Sequence, residues 1–257
     1  MKKFTKVVSL MLAAILMMAI CTACGDSKKD DSTITFGTNA EFPPFEYVTA
    51  KGVIGEFDGI DMAIAKQIGE DNGMEAKIEN MEFDSLLLAL ENGQVDAVIA
   101  GMTITDEKKD AVDFSEPYYT AKQVMIVKED SDIQKASDMA DKKIVVLQGF
   151  TGETCVNEMG YKYESFKKGT EAIMELVNGK CDVVVIDSAT AEKYVNDNEG
   201  LKIVEDNDAF EAEEYGIAVK KGNTELLDKI NKSLDKMLED GTISELSAKY
   251  AESSDAE

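Results

Sequence analysis

Few residues in this chain are equipped for chemistry, and those few suit holding charge better than breaking bonds. The chain has no histidine, which excludes imidazole acid–base catalysis and leaves a structural zinc site almost without ligands. Asp187 closes the apolar run 183–186. A carboxylate withdrawn from water there pairs strongly with a cation, although Asp in that place also caps a following helix at 188–196. Gln148-Gly-Phe-Thr-Gly-Glu153 is a glycine-rich turn at a helix start. Such a turn aims free N–H groups and the positive helix end at an anion, but tight turns need glycine in any case. Lys108 supplies a mobile positive point charge. Pro43 and Pro44 impose extended backbone that presents Phe42, while Phe45 packs inward.

The elements that must position these residues occur twice. Residues 33–38 form a short β-rich run, followed by a loop over 39–47. Ile60, Ala63, Ile64 and Ile68 mark 58–70 as an amphipathic helix closed by Asp71-Asn72-Gly73. A strand at 76–80, a leucine-rich helix at 84–91 and a continuous apolar strand at 97–100 complete a β-α-β-α-β unit. The rhythm restarts with strands at 143–147, 162–166 and 182–186 and helices at 152–159 and 170–178. Two such units predict an α/β chain of two lobes, each on a parallel sheet. The β-rich runs 123–128 and 216–219 suit crossovers near 120–123 and 213–216. The amphipathic tail 223–250, with Ile230, Leu234 and Met237 on its apolar face, docks back on the first lobe. Lobe 1 is then 34–121 plus 214–251, lobe 2 is 122–213, and 252–257 is a disordered tail. Ligands of open α/β sheets bind at the carboxyl ends of strands, so the site is expected in the cleft between lobes.

Ahead of the fold, Lys2, Lys3 and Lys6 precede an apolar run over 7–20. That run is shorter than the roughly 20 residues of a membrane span, so 1–23 is read as a signal peptide. Ala23-Cys24-Gly25 resembles a bacterial lipobox with Cys24 as the lipidated residue, although Cys21 stands where leucine is usual. An ordinary signal peptide with an incidental cysteine is the alternative. Residues 24–33 read as a flexible tether, placing a soluble domain on the outer face of a bacterial cell membrane. Removing 1–23 takes away three lysines and moves the formal charge from −24 to −27, which argues against nucleic-acid binding. Cys155, near a helix start, and Cys181, opening a strand at the other end of the same sheet, lie a strand length apart, roughly 17–20 Å. A disulfide needs Cα atoms within about 7 Å, so two free, mostly buried thiols are expected.

The stretch Met102-Thr-Ile-Thr-Asp-Glu-Lys-Lys-Asp-Ala-Val-Asp-Phe-Ser-Glu-Pro-Tyr-Tyr119, with Gly55-Glu-Phe-Asp-Gly-Ile-Asp61 and Glu239-Asp-Gly-Thr-Ile243, resembles the polar amino-acid binding proteins of bacterial ABC importers. The resemblance covers about 34–250 and implies a type II periplasmic-binding-protein-like fold with two hinge crossovers. It implies that Phe42 and Phe83 flank the ligand side chain, with packing in the lobe core the alternative for each. It further implies that the Gly101 carbonyl and Thr103 hydroxyl take the ligand ammonium together with Asp187. Met102 lies in the same loop, and Phe150 narrows the pocket. The N–H groups of Thr103 and Thr151, with residue 108, would meet the carboxylate. The family carries arginine at 108; here it is Lys108, and the chain contains no arginine. Lysine keeps the charge but not the two-bond fork. Either Lys108 serves as the clamp, or Lys109 shares the task, or the ligand lacks a free α-carboxylate. Asn39, where binders of basic amino acids tend to carry Asp, leans towards a polar neutral amino acid. The resemblance implies a monomer without cofactor, partnered by a permease and an ATPase. A ligand sensor for a membrane receptor and a dehydratase on the same fold are the alternatives.

Overall fold

A computed structural model of the protein describes residues 32–252, all within one compact unit. The signal segment, Cys24 and the tether up to Asp31 lie outside these residues, as does the tail beyond Glu252. In chain order the strands are β1 (Thr33–Thr38), β2 (Glu41–Phe42), β3 (Glu46–Val48), β4 (Phe57–Asp58), β5 (Glu75–Asn80), β6 (Ala97–Val98), β7 (Val112–Phe114), β8 (Tyr119–Lys128), β9 (Ile144–Leu147), β10 (Tyr163–Phe166), β11 (Val183–Asp187), β12 (Leu201–Val204), β13 (Ala212–Tyr215) and β14 (Ala218–Lys220). The helices are α1 (Ile60–Asp71), α2 (Leu86–Glu91), α3 (Asp106–Ala111), α4 (Thr151–Glu158), α5 (Gly169–Val177), α6 (Ser188–Asp197), α7 (Thr224–Glu239) and α8 (Thr242–Glu252).

Two sheets carry the architecture, ordered β5-β1-β6-β14-β7 and β10-β9-β11-β8-β12. Three strands of each run parallel from one edge, and the rest pair antiparallel. The antiparallel parts come from the crossovers: β8 is itself the outgoing connection, and β14 follows the return. Strands β9 and β11 are buried along their whole length, as continuous apolar runs between helices must be. Their alternation divides the core. Val145, Val184 and Ile186 join a cluster continuous with the first sheet, whereas Val146, Val183 and Val185 face a second cluster.

The two crossovers lie side by side. The first half of β8 pairs antiparallel with β13, from Tyr119↔Tyr215 to Lys122↔Ala212, and its second half pairs with β11 and β12. The returning tail packs on α1, where Lys236 Nζ meets Asp71 Oδ1 at 3.0 Å and Asn72 Nδ2 donates to Ser233 Oγ at 3.3 Å.

Local departures have local causes. The loop expected at 39–47 holds β2 and most of β3, which with β4 form a small antiparallel sheet whose strands are too short to show periodicity. The helix expected from 58 begins at Ile60, because Asp58 ends β4 and Gly59 adopts φ 124. A Cβ at Gly59 would lie 2.1 Å from the Phe45 carbonyl oxygen, so only glycine fits. The apolar run at 97–100 pairs only at Ala97–Val98. The β-rich run at 216–219 enters a strand only at Ala218, in β14, and β13 lies ahead of it, ending at Tyr215. Cys155 and Cys181 are free thiols, the first half-buried and the second buried.

Candidate functional site

The loop after β6 is strapped to the return crossover. Gly216 N–H donates to the Met102 carbonyl at 3.1 Å, Ile104 N–H to the Glu214 carbonyl at 2.8 Å, and Thr103 bridges Tyr215. The loop turns at Gly101, where φ is 53 and a Cβ would press within 2.8 Å of Phe42. It then enters α3, capped by Thr105 Oγ1, which accepts the Lys108 N–H at 3.3 Å. That turn sends Lys108 back towards the loop, and its Nζ donates to the Thr103 carbonyl at 3.0 Å.

The second sheet brings the opposing groups. Thr151, the first residue of α4, donates its hydroxyl to Thr103 Oγ1 at 3.0 Å, and Thr103 Oγ1 donates to Glu213 Oε2 at 2.8 Å. Asp187 occupies the cap position of α6, yet its side chain makes no cap hydrogen bond. It accepts the Tyr215 hydroxyl instead, with the residue only 2 % exposed. Gln123, 1 % exposed, faces both Asp187 and Glu213, and neither end of its amide has a hydrogen bond of ordinary geometry.

Three aromatic rings pack together, one of them, Phe83, in the same cavity lining as Lys108 and Thr151. Phe83 stacks on Phe150 with centroids 4.0 Å apart, and Phe42, fully buried, lies 5.1 Å from Phe150 and 5.7 Å from Phe45. At the rim Lys168 pairs with Glu41 at 2.9 Å, and Lys167 with Glu82 at 3.7 Å. Beside the cluster, a cavity of about 620 Å³ opens between the sheets, lined by Phe83, Met102, Lys108 and Thr151 together with Asp84, Glu107 and Glu158.

The electrostatics are acidic throughout. Burial, then the neighbouring Glu213, pushes the Asp187 carboxyl up to about 7. Burial also raises Glu213, against the pull of the Thr103 hydroxyl and the charge of Lys108. Lys108 is lowered by burial, while Glu213, Asp187 and Glu107 hold its proton on. Behind Gly101 lies a second acid pair. Asp61 Oδ2 accepts the Gly101 N–H at 2.8 Å and the Tyr118 hydroxyl at 2.9 Å, and burial raises it to about 6. Glu46, fully buried against Asp61, is raised well above the carboxylate range by burial and by that neighbour.

Hydrogen bonds join Lys108 and Thr151 to Thr103, and Asp187 reaches this cluster through Tyr215, which bridges Thr103; Phe42, Phe83 and Phe150 form one aromatic group, Gly101 packs near Phe42, and Met102 lines the cavity. Asn39 is buried and donates its amide to the Met81 carbonyl at 2.9 Å. Sequence reasoning missed Glu213, Tyr215, Gln123, Glu46 and Asp61. The one available signal was the i, i+2 spacing of Glu213 and Tyr215 at the expected crossover, which puts both on one strand face.

Residues 34–253 match the family described as bacterial extracellular solute-binding proteins, family 3. Similar proteins include the arginine-binding extracellular protein ArtP of Bacillus subtilis, 34 % identical over 94 % of this chain and 96 % of that one. The ABC transporter glutamine-binding protein GlnH of the same species is 31 % identical over the whole of both chains. Among solved structures, the arginine-, lysine-, histidine-binding protein ArtJ of Geobacillus stearothermophilus superposes with a TM-score of 0.79 at 35 % identity, covering 85 % of this chain and 94 % of that chain.

Proposed function

Because the chain belongs to the bacterial extracellular solute-binding proteins of family 3, we propose that it captures an amino acid between its two lobes and delivers it to an ABC permease and its ATPase. The observation that carries this reading is Asp187, a buried carboxylate at the crossovers that is spared from capping its helix and is oriented by Tyr215. A charged group kept out of water in this way is matched by a ligand cation. The ligand ammonium pairs with Asp187 and the Thr103 hydroxyl, and its carboxylate lies towards Lys108. Phe42, Phe83 and Phe150 enclose its side chain. The side-by-side crossovers serve as the hinge for closure.

The cavity lining favours a basic amino acid. Asp84, Glu107 and Glu158 line it, and Lys108 is the one cation among the described lining residues. ArtP and ArtJ are named for binding basic ligands. This moves the ligand away from the neutral amino acid that Asn39 suggested. The N-terminal lysines, apolar run and Cys24 support a lipid anchor outside the cytoplasm. Sensor and dehydratase readings draw no comparable support: the named relatives are binding proteins of transporters. Thermal unfolding of the refolded protein with each amino acid tests the proposal. A true ligand at a hundred times its Kd adds about 2.7 kcal/mol; a flat response to every amino acid would sink it.

A further inference from the structure

We propose that Glu213 joins Asp187 in a two-carboxylate seat for one ligand ammonium, so that this protein holds its ligand chiefly by the amine. The inference rests on the amino-acid reading above and adds what that reading leaves open, namely which end of the ligand dominates recognition.

Glu213 and Tyr215 are two residues apart on β13 and so share a face. Tyr215 orients Asp187 through its hydroxyl, and Glu213 orients Thr103. A threonine hydroxyl has one proton and two lone pairs. The Thr103 proton is committed to Glu213 at 2.8 Å, and one lone pair accepts the Thr151 hydroxyl at 3.0 Å. What remains is a single acceptor site on an oxygen that cannot turn into a donor without breaking the Glu213 bond. Asp187, Glu213 and Thr103 thus present three acceptors, the number an ammonium group uses. The Gln123 amide, buried beside both carboxylates with neither amide atom paired, marks the same place as built for a further polar group.

The carboxylate end is served less well. Lys108 offers a point charge without a fork, and its Nζ already donates to the Thr103 carbonyl. Glu213 repels any carboxylate brought close to that lysine. Both asymmetries favour the amine.

Calorimetric titration of the purified, refolded protein with L-arginine, L-argininamide and Nα-acetyl-L-arginine tests the proposal. The amide is expected within about threefold of arginine, and acetylation to weaken binding about a hundredfold. Glu213→Gln, which keeps an acceptor for Thr103 but removes the charge, should weaken arginine and its amide alike, by about tenfold. Loss of the amide by about a hundredfold with arginine retained, or tighter arginine binding by Glu213→Gln, overturns the proposal. If that variant does not fold, the wild-type series decides alone. If another amino acid binds in place of arginine, the same derivatives of that amino acid decide. Binding by none of them defeats the amino-acid reading itself, a result distinct from a carboxylate-led ligand.

Discussion

Asp61 Oδ2 accepts the backbone N–H of Gly101 at 2.8 Å, so a carboxylate buried beneath the first sheet sets the turn from which Thr103 reaches the cleft. Without it the Gly101 N–H and the Tyr118 hydroxyl lose their shared acceptor. Asp61→Ala should therefore destabilise the protein by about 2–4 kcal/mol, read as a lower midpoint in urea unfolding. An unchanged midpoint would show that water or Glu46 takes over the acceptor role.

Ligand-free stability should fall as pH rises from 5 to 8. Folded Asp61 and Asp187 sit at about 6 and about 7, above the ordinary carboxylate value. The folded state then binds more protons than the unfolded one, so their contribution is complete below the unfolded pKa and is lost as pH climbs through 6 and 7. The loss should be on the order of 2–4 kcal/mol, since a tenfold difference in proton affinity between the two states is worth about 1.4 kcal/mol. Carboxylates lowered by surface pairs, such as Asp113 and Asp240, act at lower pH and do not reverse the trend. Unfolding curves of refolded protein across this range check the sign.

Asp187→Asn keeps an acceptor for Tyr215 but removes the buried charge. Binding of the cognate amino acid should weaken by about a hundredfold or more. At pH 8 the ligand-free variant should be about 1–3 kcal/mol more stable than the parent, since an uncompensated buried carboxylate is gone. Binding lost together with stability would mean that Asp187 is mainly structural.

Lys108→Arg restores a planar fork at the head of the cleft. It should tighten an amino acid by about tenfold and leave its amide unchanged, because only the former presents a carboxylate to the fork. Equal gains for both ligands would place the new guanidinium on another part of the ligand.

Much of the architecture was legible because it rests on short-range pattern. Apolar runs at 143–147 and 182–186 read as covered parallel strands and are β9 and β11. The amphipathic stretch near 60–71 and the long tail read as helices, since a 3.6-residue apolar stripe needs no knowledge of what it packs against. The antiparallel edges were less legible. Which strands pair with β8 and β14 depends on how two separated segments return through the hinge, and no local period encodes that.

The candidate site divides in the same way. Thr103, Thr151 and Asp187 stand out in sequence because each lies at or near a strand end, where α/β sheets place their ligands, and Lys108 because the family resemblance points to its position. Glu213, Tyr215, Gln123, Glu46 and Asp61 look like ordinary polar positions in a chain with 51 acidic residues. Their burial is a property of the assembled lobes, and desolvation is what separates a buried acid from a solvated one. The sequence by itself determined the alternation of elements, the acidic surface and the groups at strand ends. Only tertiary structure decided which carboxylates lost their water and met one another, since that depends on distance in space between residues far apart in the chain.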